Sequence, residues 1–194
     1  MNYLTPMIML LWLLIAAVEP PHSTVAVDNE RVVVRDVGAP TPLSIPIGSA
    51  HDAVVVFLDD GKVGEVAFAG KGSSLSARRA IVVELKGGPG VSFPNNSGYP
   101  NAFPRPGSKK VLENDRVVVW DYTWAPSVAT PVHFHDKDVV VVYVADGALT
   151  STTPDGQSTI NQHSFGFAKF NPGKRVHSET LSRGSARAII IELK

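Results

Sequence analysis

Residues 28–36 (DNERVVVRD) and 113–121 (ENDRVVVWD) match at nearly every position, and two further pairs of segments extend the match. Asp52–Gly61 (DAVVVFLDDG) aligns with Asp138–Gly147 (DVVVVYVADG) at an offset of 86, and Arg79–Lys86 (RAIVVELK) aligns with Arg187–Lys194 (RAIIIELK) at an offset of 108. A chain that repeats itself in this way is expected to build one supersecondary unit twice and to stack the copies. The growth in offset gives the second copy about 22 residues that the first lacks, between Gly147 and Arg187. The first copy is therefore a shortened one.

The unit that repeats is made of strands. Runs of Val, Ile, Thr and aromatic residues are broken by Asp-Gly pairs at 60–61, 146–147 and 155–156, which suit tight hairpin turns, and nothing after residue 26 carries a helical period. The fold class is all-β. Val139–Val144 and Ile189–Ile191 are apolar on consecutive positions, which requires burial on both faces of a strand. A barrel wall has one inner face, so the other must pack on the first copy or on a second subunit, as in a homodimer. Between the copies, ten of the 21 residues from Gly87 to Gly107 are Gly or Pro, so no regular element runs through this connector. Its Phe93, Tyr99 and Phe103 predict that it lies against the protein, since a free linker has no use for aromatics.

At the N-terminus, Met7–Val18 is a run of twelve apolar residues followed by Glu19-Pro20-Pro21, a length that suits a signal-peptide core and is short for a membrane span. Thr24 and Ala26 frame a cleavage after Ala26, and a site nearer Ala17 is the alternative; an uncleaved anchor is a second reading of the same run. The expected organisation is a signal peptide over 1–26, a shortened repeat over 27–86, the connector over 87–107 and a complete barrel over 108–194. Such a chain is exported, to a periplasm or the medium, with no stable membrane span once the signal is removed. Its 18 basic and 18 acidic residues form no long run of either sign, which argues against nucleic-acid partners. The absence of cysteine leaves only nitrogen and oxygen donors for a metal.

His133-Phe134-His135 falls on a predicted strand, where residues two apart point to one face, so both imidazoles can converge on one ion. His177 follows a Pro172-Gly173 turn and opens another strand. Neutral imidazoles suit a divalent Fe, Mn or Zn, and three of them leave positions open for water or a ligand. The alternative for the three is a set of hydrogen-bonded histidines in a barrel that holds no metal. His163, His22 and His51 stand outside the pattern, and Asp138 reads as a turn residue because its counterpart Asp52 persists in the copy without the histidines. The Asn95-Asn96-Ser97 triplet fits a glycosylation acceptor in a eukaryotic secretory host.

Over residues 113–194 the chain resembles the cupin superfamily. The first motif of that family is matched by His133, His135 and Gly147, and the second by Gly166, Pro172 and His177. The resemblance implies a cupin-type double-stranded β-helix, or jelly-roll barrel, with a metal on the three histidines. Where the family places a glutamate ligand this chain has Val140, and the Asn that usually ends the second motif is Leu181. Glu179 shares a strand face with His177 and is the candidate for the fourth ligand or for a residue that orients one. Trp120, Tyr122 and Trp124 alternate on one face and are candidates for core or for a pocket wall. In the first copy Ile47 and Ser49 stand where His133 and His135 stand in the second, so no second site is expected. Two functions remain open: a barrel that binds a small molecule without catalysis, and a metal-dependent enzyme of the dioxygenase, isomerase or decarboxylase kind that the resemblance implies.

Overall fold

The computed structural model describes residues 22–48, 50–87 and 91–194, and among them it contains fourteen β-strands and no helix. The first copy supplies β1 (His22–Asp28), β2 (Val32–Pro46), β3 (Ala53–Phe57), β4 (Val66–Ala69) and β5 (Ser74–Leu85), in the sheet order β1-β2-β5-β3-β4. From the second copy, β6 (Lys109–Glu113), β7 (Val117–Thr123), β9 (Val139–Tyr143), β12 (Ala168–Asn171) and β14 (Arg187–Leu193) lie in the order β6-β7-β14-β9-β12. The two sheets have one topology, strand for strand.

Register and side-chain contacts repeat with it. Val32 pairs with Leu85 and Val117 with Leu193, while Ala53 faces Glu84 as Val139 faces Glu192. Asn29 Oδ1 accepts from the backbone N–H of Arg31 and Val32, and Asn114 Oδ1 accepts from those of Arg116 and Val117, so each copy turns from its first strand into its second through the same cap. Arg79 pairs with Asp36 at 3.0 Å, and Arg187 with Asp121 at 2.8 Å. Two of the ion pairs among the described residues cross between the copies. Arg116 reaches Asp52 at 3.6 Å, and Arg31 reaches Asp138, also at 3.6 Å. Each of these aspartates also accepts from a backbone N–H in its own copy, Asp52 from Lys71 and Asp138 from Gly173, which is the turn role expected of both.

The five-stranded sheets pack face to face. Their alternate residues, among them Val34, Val54, Ile81 and Val83 of the first copy and Val119, Val140, Val142 and Ile189 of the second, form one buried core. The opposite face of the second sheet carries Trp120, Tyr122, Val139, Val141, Tyr143 and Ile190 into another core. Strand β9 is thus buried on both sides, which is why its sequence shows no alternation. The first copy supplies the cover for its outer face.

What the second copy adds is a four-stranded sheet in the order β11-β10-β13-β8, built from β8 (His133–Phe134), β10 (Gly147–Thr152), β11 (Ser158–His163) and β13 (Val176–Gly184). Because Val66–Ala69 takes the place of Ala168–Asn171, the offset steps from 86 to 102 across the β10–β11 hairpin and then to 108 across β13. The extra residues are therefore two insertions, and both serve this sheet. In the first copy β2 instead runs on to Pro46 against the start of β5, and Ile47, at the place of His133, is buried in a small core of its own with its N–H bonded to the Ser73 carbonyl at 2.8 Å.

The connector does lie on the barrel. Phe93 N–H donates to the Asp136 carbonyl at 2.7 Å, Ala102 N–H donates to the Phe134 carbonyl and Phe134 N–H to the Pro100 carbonyl, each at 2.8 Å, and Phe103 is buried with its ring stacked 5.3 Å from that of Trp120. At the other end of the chain the expected signal run Met7–Val18 falls outside the described residues. Strand β1 begins at His22, so the expected boundary at residue 26 falls inside a strand that pairs with β2 through Asp28. No helix among the described residues is long and apolar enough to cross a membrane.

Candidate metal centre

Strand pairing brings the three histidines together. In the β8–β13 pair His133 lies directly opposite His177, and His135 continues the line, its N–H donating to the Arg175 carbonyl at 2.9 Å and its own carbonyl accepting from Lys174 at 2.7 Å. Two residues apart on an extended segment, His133 and His135 share a face. All three are buried, and one ligand nitrogen from each lies within 4.8 Å of the other two. His135 Nε2 and His177 Nε2 are 3.0 Å apart. Two nitrogens bound at ~2.1 Å to one ion with about a right angle between them stand about 3.0 Å apart, so this pair has the spacing of a chelating edge.

Protonation favours the same use. Pro131 C=O lies 2.8 Å from His133 Nδ1, which places the proton on that nitrogen and leaves the Nε2 lone pair facing inward. Ser151 Oγ lies 2.9 Å from His177 Nδ1 and orients that ring as well. His135 Nδ1 is buried without a partner. Burial is the main force on all three rings: it lowers His133 below the ordinary histidine range, lowers His135 well below it, and brings His177 down to about 4. At neutral pH the cluster consists of neutral imidazoles, the form that can bind a metal. Among the described residues it is the single group of three or more His, Asp or Glu side chains close enough to hold an ion.

Glu179 does not join the cluster. Its Oε2 accepts from Trp124 Nε1 at 3.1 Å and pairs with Arg105 Nη2 at 3.5 Å, and the other arm of Arg105, Nη1, lies 3.3 Å from His133 Nε2. Burial alone would raise the Glu179 carboxyl, but the fields of His177, Arg105 and His133 and the Trp124 bond hold it below the usual range. Arg105 thus bridges Glu179 to His133, and the Glu179 charge also acts on His177 and His133 directly, opposing the effect of burial there. Val140 turns toward the first copy, while its neighbours Val139 and Val141 face the cavity. Alternation along β9 puts any side chain at 140 on the wrong face.

The cavity beside the histidines encloses about 120 Å³ and is bordered by His135, His177, Glu179 and Trp124 together with Arg105, Lys169 and Arg175. Of the three candidate aromatics Trp124 lines it, whereas Trp120 and Tyr122 sit in the core beneath, Trp120 donating to Glu192 at 2.8 Å. Tyr122 lies under Arg105, whose guanidinium carbon is 4.0 Å from its ring centroid. His163 stays out of the cluster, stacked on Tyr143 at 4.0 Å, and His22 approaches Asp36 at 3.6 Å in the first copy.

Sequence reasoning missed Arg105, Lys169 and Arg175. A signal for the first was present: Arg105 is the one charged residue in the connector, set among Phe and Pro, where a solvated linker would carry more. Gly166 has φ +81°, a left-handed conformation that favours glycine at the turn into β12.

No family model matches the chain. Among solved structures, a cupin 2 conserved barrel domain protein from Leptotrichia buccalis superposes with a TM-score of 0.53 at 13% identity, over 92% of this chain and 91% of the other. This is a cupin fold. A second cupin-fold match, Bacillus subtilis oxalate decarboxylase, studied for its Mn(II) centres, has a TM-score of 0.53 at 12% identity over 84% of this chain and 69% of that one. Among curated proteins, the beta-alanine degradation protein BauB of Pseudomonas aeruginosa is 38% identical over 60 residues, which is 31% of this chain and 59% of that protein's length. Within this fold the three buried histidines lie at one place, able to hold a divalent ion.

Proposed function

We propose that the chain is an exported cupin that binds a divalent metal through His133, His135 and His177 and holds a small molecule at the coordination positions they leave open. The observation that carries this reading is the convergence of three buried, neutral imidazoles beside a cavity of about 120 Å³. Fe, Mn and Zn all suit an all-nitrogen site, and the Mn(II) centres of the Bacillus subtilis enzyme with this fold support including Mn. The stretch shared with a protein named for beta-alanine degradation supports a small-molecule ligand over a macromolecular one. A ligand that binds the folded state alone stabilises it by about 2.7 kcal/mol at a hundred times its dissociation constant. Thermal unfolding of chelator-treated protein with added Mn(II), Zn(II) or anaerobic Fe(II) is therefore expected to shift upward, and His133→Ala to abolish the shift; no shift with any of the three overturns the reading.

Export rests on the Met7–Val18 run. Cleavage nearer Ala17 leaves β1 whole, while cleavage after Ala26 removes all but the last two residues of a paired strand. The mature protein is accordingly expected to begin N-terminal to His22, which sequencing of secreted material would show.

A second reading, catalysis at the same centre, has one observation in its favour: the Glu179 carboxylate, held ionised, lines the cavity as a proton acceptor beside the open positions. Product formation by metal-loaded protein that is lost in His133→Ala supports it, and a broad screen of small acids and carbonyl compounds without turnover removes it.

A further inference from the structure

The cavity beside the histidines is unbalanced in charge. Three cations, Arg105, Lys169 and Arg175, border it against the single carboxylate of Glu179. Arg105 is buried and tied to that carboxylate at 3.5 Å. Arg175 and Lys169 have no such partner: among the described residues neither lies within 4.0 Å of a carboxylate, and Arg175 Nε is buried without any hydrogen bond. Both are half-buried, with Lys169 Nζ 6.0 Å from the Tyr143 ring centroid and the Glu179 charge the one anion acting on either, and partly withdrawing two cations from water with so little counter-charge is costly. A metal does not supply that counter-charge. A dication on His133 would stand beside the Arg105 guanidinium, 3.3 Å from that ring nitrogen, and would add to the excess.

We propose that the ligand of this cavity is a small carboxylate anion, held by Arg175 and Lys169 and screening Arg105 from the metal. The assignment rests on the metal reading above for the anion's second partner, while the cationic wall belongs to the chain itself. Arginine presents paired N–H donors that match a carboxylate's two oxygens, and Lys169 adds a mobile point charge. Asn161, Asn171 and Ser151 border the same space and offer neutral donors and acceptors to a hydroxyl or keto group. A volume of about 120 Å³ lies well under the ~300–1,000 Å³ of pockets for drug-sized ligands. It restricts the occupant to a short mono- or dicarboxylate or a keto acid.

The test is calorimetry on the full-length protein after metal loading, with oxalate, malonate and pyruvate as probes and malonamide as the uncharged counterpart of malonate, and with metal content measured on every sample. At least one carboxylate is expected to bind, malonamide not to bind, and Arg175→Gln and Lys169→Gln each to weaken the carboxylate at least tenfold while retaining full metal content. Equal binding of malonamide and malonate, or no carboxylate binding to loaded protein, overturns the ligand assignment and leaves the metal reading standing. If the protein never loads metal, the metal reading fails; carboxylate binding that Arg175→Gln removes then still upholds the cationic wall, and its absence overturns that too.

Discussion

Arg105 Nη1 lies 3.3 Å from His133 Nε2, and the same guanidinium reaches Glu179 through Nη2 at 3.5 Å. One residue of the connector therefore ties the histidine cluster to the one carboxylate of the cavity, and the rings of Phe103, Tyr122 and Trp124 enclose it at 4.0–5.6 Å. Breaking a buried ion pair from one side leaves the other charge stranded, at a cost of about 3–5 kcal/mol. Glu179→Gln is expected to lower unfolding stability by about 3 kcal/mol, and the Arg105→Met/Glu179→Gln double variant to lose less than the sum of the single changes. Urea unfolding of the three proteins checks this.

Acid should weaken the metal-free protein through His177. Its folded pKa, brought down to about 4 chiefly by burial, lies below the ~6.5 of an unfolded histidine, so between those values the unfolded chain holds the extra proton. Stability is then fully present above pH ~6.5 and is lost as pH falls toward about 4, by on the order of 3 kcal/mol. Unfolding of chelator-treated protein across this range should show the slope, and His177→Gln should reduce it, leaving the part that the buried His133 and His135 contribute.

The shared core predicts that the two copies unfold together. Ile81 and Ile189 are fully buried in the single cluster between the five-stranded sheets. Truncation of either to Ala is expected to cost about 2–5 kcal/mol and to lower the midpoint of one common transition. Two transitions, with each variant moving only its own, would show that the copies are independent.

Trp120→Phe removes the indole that donates to Glu192 at 2.8 Å, in a place where the carboxylate is 3% exposed. An acceptor left buried without its donor costs about 1–3 kcal/mol, so a loss of that size is expected at neutral pH. Burial holds the Glu192 carboxyl above the ordinary range, so acidification through that pKa should recover part of the loss.

Much of this architecture was legible in the sequence because it is periodic or repeated. The strands, the stacked copies, the covered face of β9 and the convergence of His133, His135 and His177 all follow from spacing. What escaped depends on tertiary neighbours. Arg105 comes from an irregular segment, and nothing in its local pattern says that three aromatic rings will enclose it. Lys169 lies on β12 and Arg175 in the turn that leads into β13, places where a charged residue usually means a solvated face, and only the tertiary neighbours put both on the cavity wall. Glu179 was placed on the correct face, but the approach of Trp124 and Arg105, which fixes its partners, could not be read from β13 alone.

The central claim is a metal on three histidines, and elemental analysis by mass spectrometry tests it most directly. Protein purified without chelator, and again after reconstitution, is compared with the His133→Ala/His177→Ala double variant. Near-stoichiometric divalent metal in the first, lost in the variant while the variant remains folded by circular dichroism, is the predicted result. A folded wild-type protein that holds no metal even after reconstitution would contradict it.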